Sequence, residues 1–408
     1  MSANPTFTVP AQIAELRGTA PQKVILILWI LVAIGIGGFL FLVFTDPEAL
    51  WLNYLADFIF VTGIAQAVVV WSAVTRGCNA RWARPLQRIA EGMAAPLLLS
   101  VLLFIPILFE HKYIYTWWAH PVKLPWTNHI WMQTRDIGIF ILLAWLSWYF
   151  FRVSTRPDRA NDYGALTGKS STGARRAQGK LSRLWVILVF CFCYLYGVLG
   201  VDLNLSLYIG WYNYIYPWFF FITSWYAGCA MVCLLATMWR RRFGLKEIIS
   251  ADILHDAGEI AFAFAIFWAY QFWTQFMVLW YANRQDDIHI LIRLSQQHPW
   301  VTLSWVALTL GFFLPFGFGL SRSYKRRAGT LAYISCISLG AIWLQQNLMV
   351  DVSVWHHGFP PLLSSAFLTC GFVGAYGLCY LWAMRRVPLF PVRDPIMHEA
   401  LVWHPMRH

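Results

Sequence analysis

Apolar residues run through this chain in ten blocks, separated by short stretches of glycine, proline and charge. The blocks fall at Val24–Phe44, Tyr54–Thr75, Gly92–Phe109, Trp131–Phe151, Leu184–Gly200, Tyr216–Met238, Gly258–Tyr281, Val301–Leu320, Thr330–Val350 and Leu363–Ala383. A helix of about 20 apolar residues, rising 1.5 Å per residue, crosses about 30 Å of hydrocarbon. The pattern predicts an all-α polytopic membrane protein with ten transmembrane helices. The fifth block is the shortest and follows a basic stretch. It extends toward Leu205 if Asp202 sits at an interface. Nothing between the blocks is long enough for a soluble domain. The chain therefore divides into an N-terminal arm (1–23), a ten-helix domain (24–383) and a C-terminal tail (384–408). The first block is too long for a cleavable signal, and Thr45-Asp46-Pro47-Glu48 is a poor cleavage site. The arm reads either as disordered or as a segment resting on a partner.

Composition agrees. Hydrophobic residues make up 59% and charged residues 12%, against about 25% charged in soluble domains. The net charge of +12 is not spread evenly. All but five of the 31 lysines and arginines lie in the arm, the tail and the loops after blocks 2, 4, 6 and 8. The exceptions are Lys112, Lys123, Arg135, Arg284 and Arg293. The positive-inside rule then places both termini in the cytoplasm, as an even number of spans requires. The basic charge reads as topology, with anionic lipid as an additional partner, and not as a nucleic-acid footprint. Tyr163–Lys180, rich in Gly, Ser and Arg, reads as a flexible cytoplasmic loop. Gly168-Lys169-Ser170 within it follows no strand and is not a phosphate loop.

Redox chemistry of the chain's own is not expected. The 8 cysteines contain no Cys-x-x-Cys-His motif and no evident disulfide pair, and they read as small hydrophobes. None of the 11 histidines is central in a block, so no haem b and no metal site is expected. Pro96, Pro106 and Pro315 do not form the symmetric broken pair common in transporters.

Ionisable groups in spans are the remaining candidates, because charge there is costly. Asp57 falls one turn into the second block. Glu91 and Glu259 open the third and seventh, where a helix dipole alone would favour them. Arg135 and Asp136 open the fourth. His255 and Glu259 share a helix face, with Asp256 beside them. These residues suggest a proton path through His255, Asp256, Glu259, Glu91, Asp57 and Asp136. A quinone head-group pocket is suggested by Asp57, His129, Arg135 and Asp136. The structural alternatives are an Asp57–Arg135 ion pair, a polar helix cap at His255–Glu259, and interhelical bonds from Gln271 and Gln275. A weak repeat is visible. Glu91 and Glu259 stand at nearly the same offset as Asn128-His129 and Gln297-His298. It divides blocks 2–5 and 6–9 into two four-helix bundles of parallel orientation, flanked by blocks 1 and 10.

The stretch Leu254–Tyr270, with His255, Asp256 and Glu259 near its start, continues through Gln275–Asn283. Together with Arg84–Glu91, and with Trp305–Arg322 around Leu314-Pro315-Phe316, it resembles the ActF-type, NrfD-like membrane subunit of bacterial alternative complex III. The likeness extends from Val24 to Ala383. It implies a multi-pass protein of the bacterial inner membrane, within a respiratory quinol:cytochrome c oxidoreductase. It implies partners as well. These are a larger NrfD-like sister that is the better candidate for the quinol site, an iron–sulfur subunit, c-type cytochrome subunits, small membrane subunits, and in some assemblies a terminal oxidase. Haem and iron–sulfur clusters belong to those partners. Ubiquinone or menaquinone is the implied ligand. The smaller subunit is then either a scaffold or a proton path. In the second case His255, Asp256 and Glu259 take up protons from the cytoplasm, and Asp57 or Asp136 releases them. A secondary transporter is the rival class, disfavoured because the ionisable groups lie near the edges.

Overall fold

The computed structural model describes residues 16–115, 117, 126, 128–159, 172–208, 211, 213–283, 285–355, 358–391, 394 and 397. Among these residues there is no strand, and ten helices are long and apolar enough to cross a membrane. They are Gln22–Thr45, Pro47–Gly77, Arg81–Leu108, His129–Asp158, Arg176–Leu207, Tyr216–Phe243, Ala251–Ala282, Trp300–Gly319, Ala328–Val354 and Leu362–Met384, spans 1 to 10 below. The protein is thus an all-helical, multi-span membrane protein.

Spans 2 and 6 form the centre. Nearly every residue of span 2 from Ala49 to Thr75 is buried. It packs on spans 3, 5, 6, 9 and 10. Span 3 packs on 4, and 4 on 5; span 6 packs on 7 and 9, span 7 on 8, and 8 on 9. Span 1 lies outside this group and packs chiefly on span 10. Its Leu26, Ile27, Trp29, Phe41 and Phe44 point outward. An apolar outer face suits a bilayer, where helices satisfy their own backbone groups. Small residues bring the helices close, as membrane packing favours. A Cβ added to Gly35 would lie 2.2 Å from Gly371 Cα, between spans 1 and 10. One added to Gly228 would lie 2.4 Å from Ala67 Cβ, between spans 6 and 2.

Several boundaries differ from the sequence reading. Span 2 begins at Pro47 and not at Tyr54. Asp46 caps it by accepting the Ala49 N–H at 3.1 Å, and Pro47 takes the first helical position, where its missing N–H does no harm. Asp57 therefore lies about 15 Å along the helix, not one turn in. Span 3 is broken: Arg84–Glu91 ends at Gly92, Ala94–Phe104 follows, and a 3-10 segment covers Ile105–Leu108. Span 5 belongs to a helix that starts at Thr172, so part of the expected loop Tyr163–Lys180 is helical. Gly168–Ser170 lies outside the described residues. Span 7 starts at Ala251, capped by Ser250. Span 8 contains a π turn, Thr309–Phe313. There the Tyr226 hydroxyl donates to the Gly311 carbonyl at 2.9 Å, satisfying a backbone group that such a turn loosens. A further helix, Gln285–Gln296, joins spans 7 and 8.

The described part of the arm rests on the chain's own tail. The Leu389 N–H donates to the Leu16 carbonyl at 2.7 Å, and the Gly18 N–H to the Met384 carbonyl at 3.1 Å. Farther along the tail, Asp394 accepts from Arg76 and Arg84, each at 3.0 Å.

Candidate functional site

The candidate residues separate into four groups. The first surrounds Asp57. Its Oδ1 accepts from Thr369 Oγ1 at 2.7 Å, Ser365 Oγ at 2.9 Å and the Trp343 indole at 2.9 Å. The donors lie on spans 9 and 10, and all are neutral. Asp57 Oδ2 and both oxygens of Asp351 accept no hydrogen bond from the described protein groups. Both carboxyls are fully buried, and Asp351 lies within electrostatic reach of Asp57. Asn53 precedes Asp57 by one turn and donates to the Pro361 carbonyl at 3.1 Å. No Lys, Arg or His pairs with Asp57 or Asp351 among the described residues. The nearby buried cation is Arg293, from the helix between spans 7 and 8. Its guanidinium donates to the Val352 and Trp355 carbonyls at 2.5 and 2.8 Å. It thereby satisfies carbonyls left over at the end of span 9.

The second group gathers three of the four residues proposed for a head-group pocket, without Asp57. Arg135 is not the partner of Asp57. Its Nε and Nη2 grip both oxygens of Asp202, each at 2.7 Å. This bidentate geometry is the strongest form of the pair. Trp126 stacks on the guanidinium at 4.0 Å and donates to Asp202 Oδ1 at 2.8 Å. Asp136 is buried beside Asp202. The His129 ring lies 5.3 Å from that of Trp117. His111 nearby meets Gln133 at 2.8 Å. Burial first, and then the neighbouring His129, push its imidazole down to about 4. It is therefore neutral at pH 7.

The third group encloses Glu91. It does not open a helix, so the helix dipole is not what holds it. It closes the first half of the broken span 3 and meets Arg88 at 2.8 Å and Arg76 at 3.2 Å. Ser154 donates to it at 2.9 Å and Ser72 at 3.3 Å. Arg88 also pairs with Asp158 at 2.5 Å. With Asp394 and its second partner Arg84, these residues form one buried, charge-balanced network at the basic end of the molecule.

The fourth group is His255, Asp256 and Glu259, and the structure brings them together. His255 Nδ1 lies 3.3 Å from Asp256 and Nε2 lies 3.2 Å from Glu259. Lys325, between spans 8 and 9, completes the group by donating to Glu259 at 2.6 Å. Glu259 and Asp256 are partly exposed on span 7. Gln275 is also placed: it accepts from the Asn213 amide at 2.8 Å, which ties span 7 to the connection between spans 5 and 6 and not to another helix.

From sequence, Asp351 reads only as one of several polar residues that end the ninth block, and Trp343, Ser365, Thr369, Asp202 and Lys325 are not selected as site residues. One signal for the first four was present. Trp343, Asn347 and Asp351 recur every four residues, as do Ser365 and Thr369, and Asn53 and Asp57. Each set marks one helix face. Among the described residues, no three or more His, Cys, Asp or Glu gather as metal ligands, and the cysteines are free thiols. No family model and no curated protein matches this sequence.

Proposed function

We propose that this chain is a membrane subunit of a respiratory quinol:electron-acceptor oxidoreductase of the alternative complex III type. Its own contribution is proton transfer, not electron transfer. The observation that carries this reading is the pair Asp57 and Asp351: two carboxyls buried within spans 2 and 9, Asp57 held by neutral donors and neither matched by a cation among the described residues. Intramembrane acids of this kind mark proton relays. A structural acid is expected to look like Glu91 or Asp202, each locked to an arginine. The Asp57 group takes the role of the relay, and His255, Asp256, Glu259 and Lys325 form its mouth at the basic end. The basic end is cytoplasmic, with both termini there. Spans 2–5 and 6–9 each close a ring of packed neighbours, which supports two four-helix bundles flanked by spans 1 and 10. Quinol oxidation itself belongs to the sister subunit, and electrons leave through its iron–sulfur and c-haem partners.

A scaffold without a proton path is the second reading. It is favoured by the arginine-paired networks around Glu91 and Asp202, which need no role beyond holding helices together. To test the assembly, the chain is tagged and extracted in mild detergent. Co-purification of c-type haem with quinol-dependent cytochrome c reduction is the expected result. A chain that isolates without haem or quinol oxidation counts against the reading.

A further inference from the structure

A cavity of about 800 Å³ opens between spans 1, 2, 6, 9 and 10. Its volume is at the upper end of ordinary ligand sites, about 300–1,000 Å³. The lining is almost wholly hydrocarbon, as at Leu234 and Val373. At one end stand Arg241 and Arg242, exposed at the close of span 6. Neither pairs with a carboxylate among the described residues, although Arg326, Lys325, Arg88 and Arg76 of the same basic end all do. The other end is closed by Trp343 and Thr369, whose polar atoms are turned to Asp57. From Arg242 back to Met231, both on the lining, span 6 rises about 16 Å, roughly half of a 30 Å hydrocarbon core. The cavity is therefore one leaflet deep, with cationic groups at its mouth and apolar walls within.

We propose that this cavity is a binding site for one anionic phospholipid, whose phosphate sits at Arg241 and Arg242 and whose acyl chains fill the space up to Trp343. Charge complementarity selects the head group. Two guanidiniums without a carboxylate partner among the described residues supply hydrogen-bond donors suited to a phosphate. The dry walls select acyl chains over a quinone ring, which needs polar partners for its oxygens. The lipid would wedge span 1 and span 10 against the central spans. This inference does not depend on the proton-relay reading.

The test uses the purified full chain with its associated subunits, delipidated in detergent and titrated with phosphatidylglycerol, phosphatidylcholine or inorganic phosphate. Retention is read by native mass spectrometry and by the melting temperature. One retained phosphatidylglycerol that raises the melting temperature, with phosphatidylcholine weaker and phosphate inert, is the expected result. The double variant Arg241→Gln/Arg242→Gln weakens phosphatidylglycerol retention roughly thirtyfold. Gly340→Phe is the second variant. Gly340 lines the cavity, and a Cβ added there meets nothing within 4 Å, so the ring fills the space with both arginines intact. It abolishes retention. Equal retention of the two lipids by the unmodified protein overturns the proposal without recourse to any variant. So does undiminished retention in Gly340→Phe, or a quinone held in the cavity in place of lipid.

Discussion

The indole N–H of Trp343 donates to Asp57 Oδ1 at 2.9 Å while its ring walls the apolar cavity. One side chain thus separates the acid of span 2 from the hydrocarbon. Trp343→Phe keeps most of the ring and deletes the donor. Because Ser365 and Thr369 still reach the carboxyl, the loss is that of one donor, which Asp57 shares with Thr369 Oγ1 at 2.7 Å, about 1–3 kcal/mol. Chemical denaturation of the detergent-solubilised protein measures it. A loss no larger than that of an outward-facing control such as Trp29→Phe would mean that the bond contributes nothing.

Arg135 and Asp202 differ in what each leaves behind. Arg135→Leu strands a fully buried Asp202 beside a buried Asp136, and about 3–5 kcal/mol of stability is expected to be lost. Replacing both Arg135 and Asp202 by leucine recovers part of that, since a buried pair is often no better than apolar packing. Melting of the two variants side by side checks the order. If the double variant is the less stable, the pair is itself the source of stability.

The contact of Gly35 with Gly371 fixes span 1 to span 10. Gly35→Leu overpacks it and costs about 1–3 kcal/mol. Gly37, two residues on, has nothing within 4 Å of an added Cβ, and Gly37→Leu is expected to stay within about 0.5 kcal/mol. Protease accessibility of the tight Thr45-Asp46-Pro47 junction between spans 1 and 2 reports detachment. Equal behaviour of the two variants contradicts the packing described here.

His111 makes stability depend on pH. Its ordinary value is 6.5 and burial lowers it to about 4 in the folded protein. Between those values the unfolded chain binds the proton more readily, so stability rises with pH across the window. The contribution is complete above pH 6.5 and is lost as pH falls toward 4. His111→Gln should flatten that part of the melting-temperature profile. An unchanged slope would assign it to other groups.

Fold class and spans were legible because hydrocarbon thickness imposes a length that composition alone reveals. Local breaks were not. The third apolar block opens at Gly92, and the charged helix Arg84–Glu91 that precedes it is invisible to hydropathy; the π turn at Thr309–Phe313 is stabilised by Tyr226 from another span. The candidate acids were legible as types but not as groups. Arg135 stands next in sequence to Asp136, yet its partner is Asp202, 67 residues later. Likewise Glu91 looked like a helix-opening acid, because Arg76, Ser154 and the tail join it only in three dimensions. Asp351 is the instructive case, legible as a polar residue at a helix end but not as a partner of Asp57. Its four-residue spacing from Asn347 and Trp343 was visible, but its proximity to Asp57 needs spans 2 and 9 to be neighbours.

The central claim is that Asp57 carries protons. The most direct measurement is the proton-to-electron ratio of the assembled complex in proteoliposomes during quinol oxidation, with Asp57→Asn against the unmodified protein. Asparagine preserves size and hydrogen bonding but cannot ionise. A lowered ratio with the complex intact and its quinol oxidation retained is the result this account predicts. An unchanged ratio at an unchanged rate contradicts it and leaves the chain a scaffold.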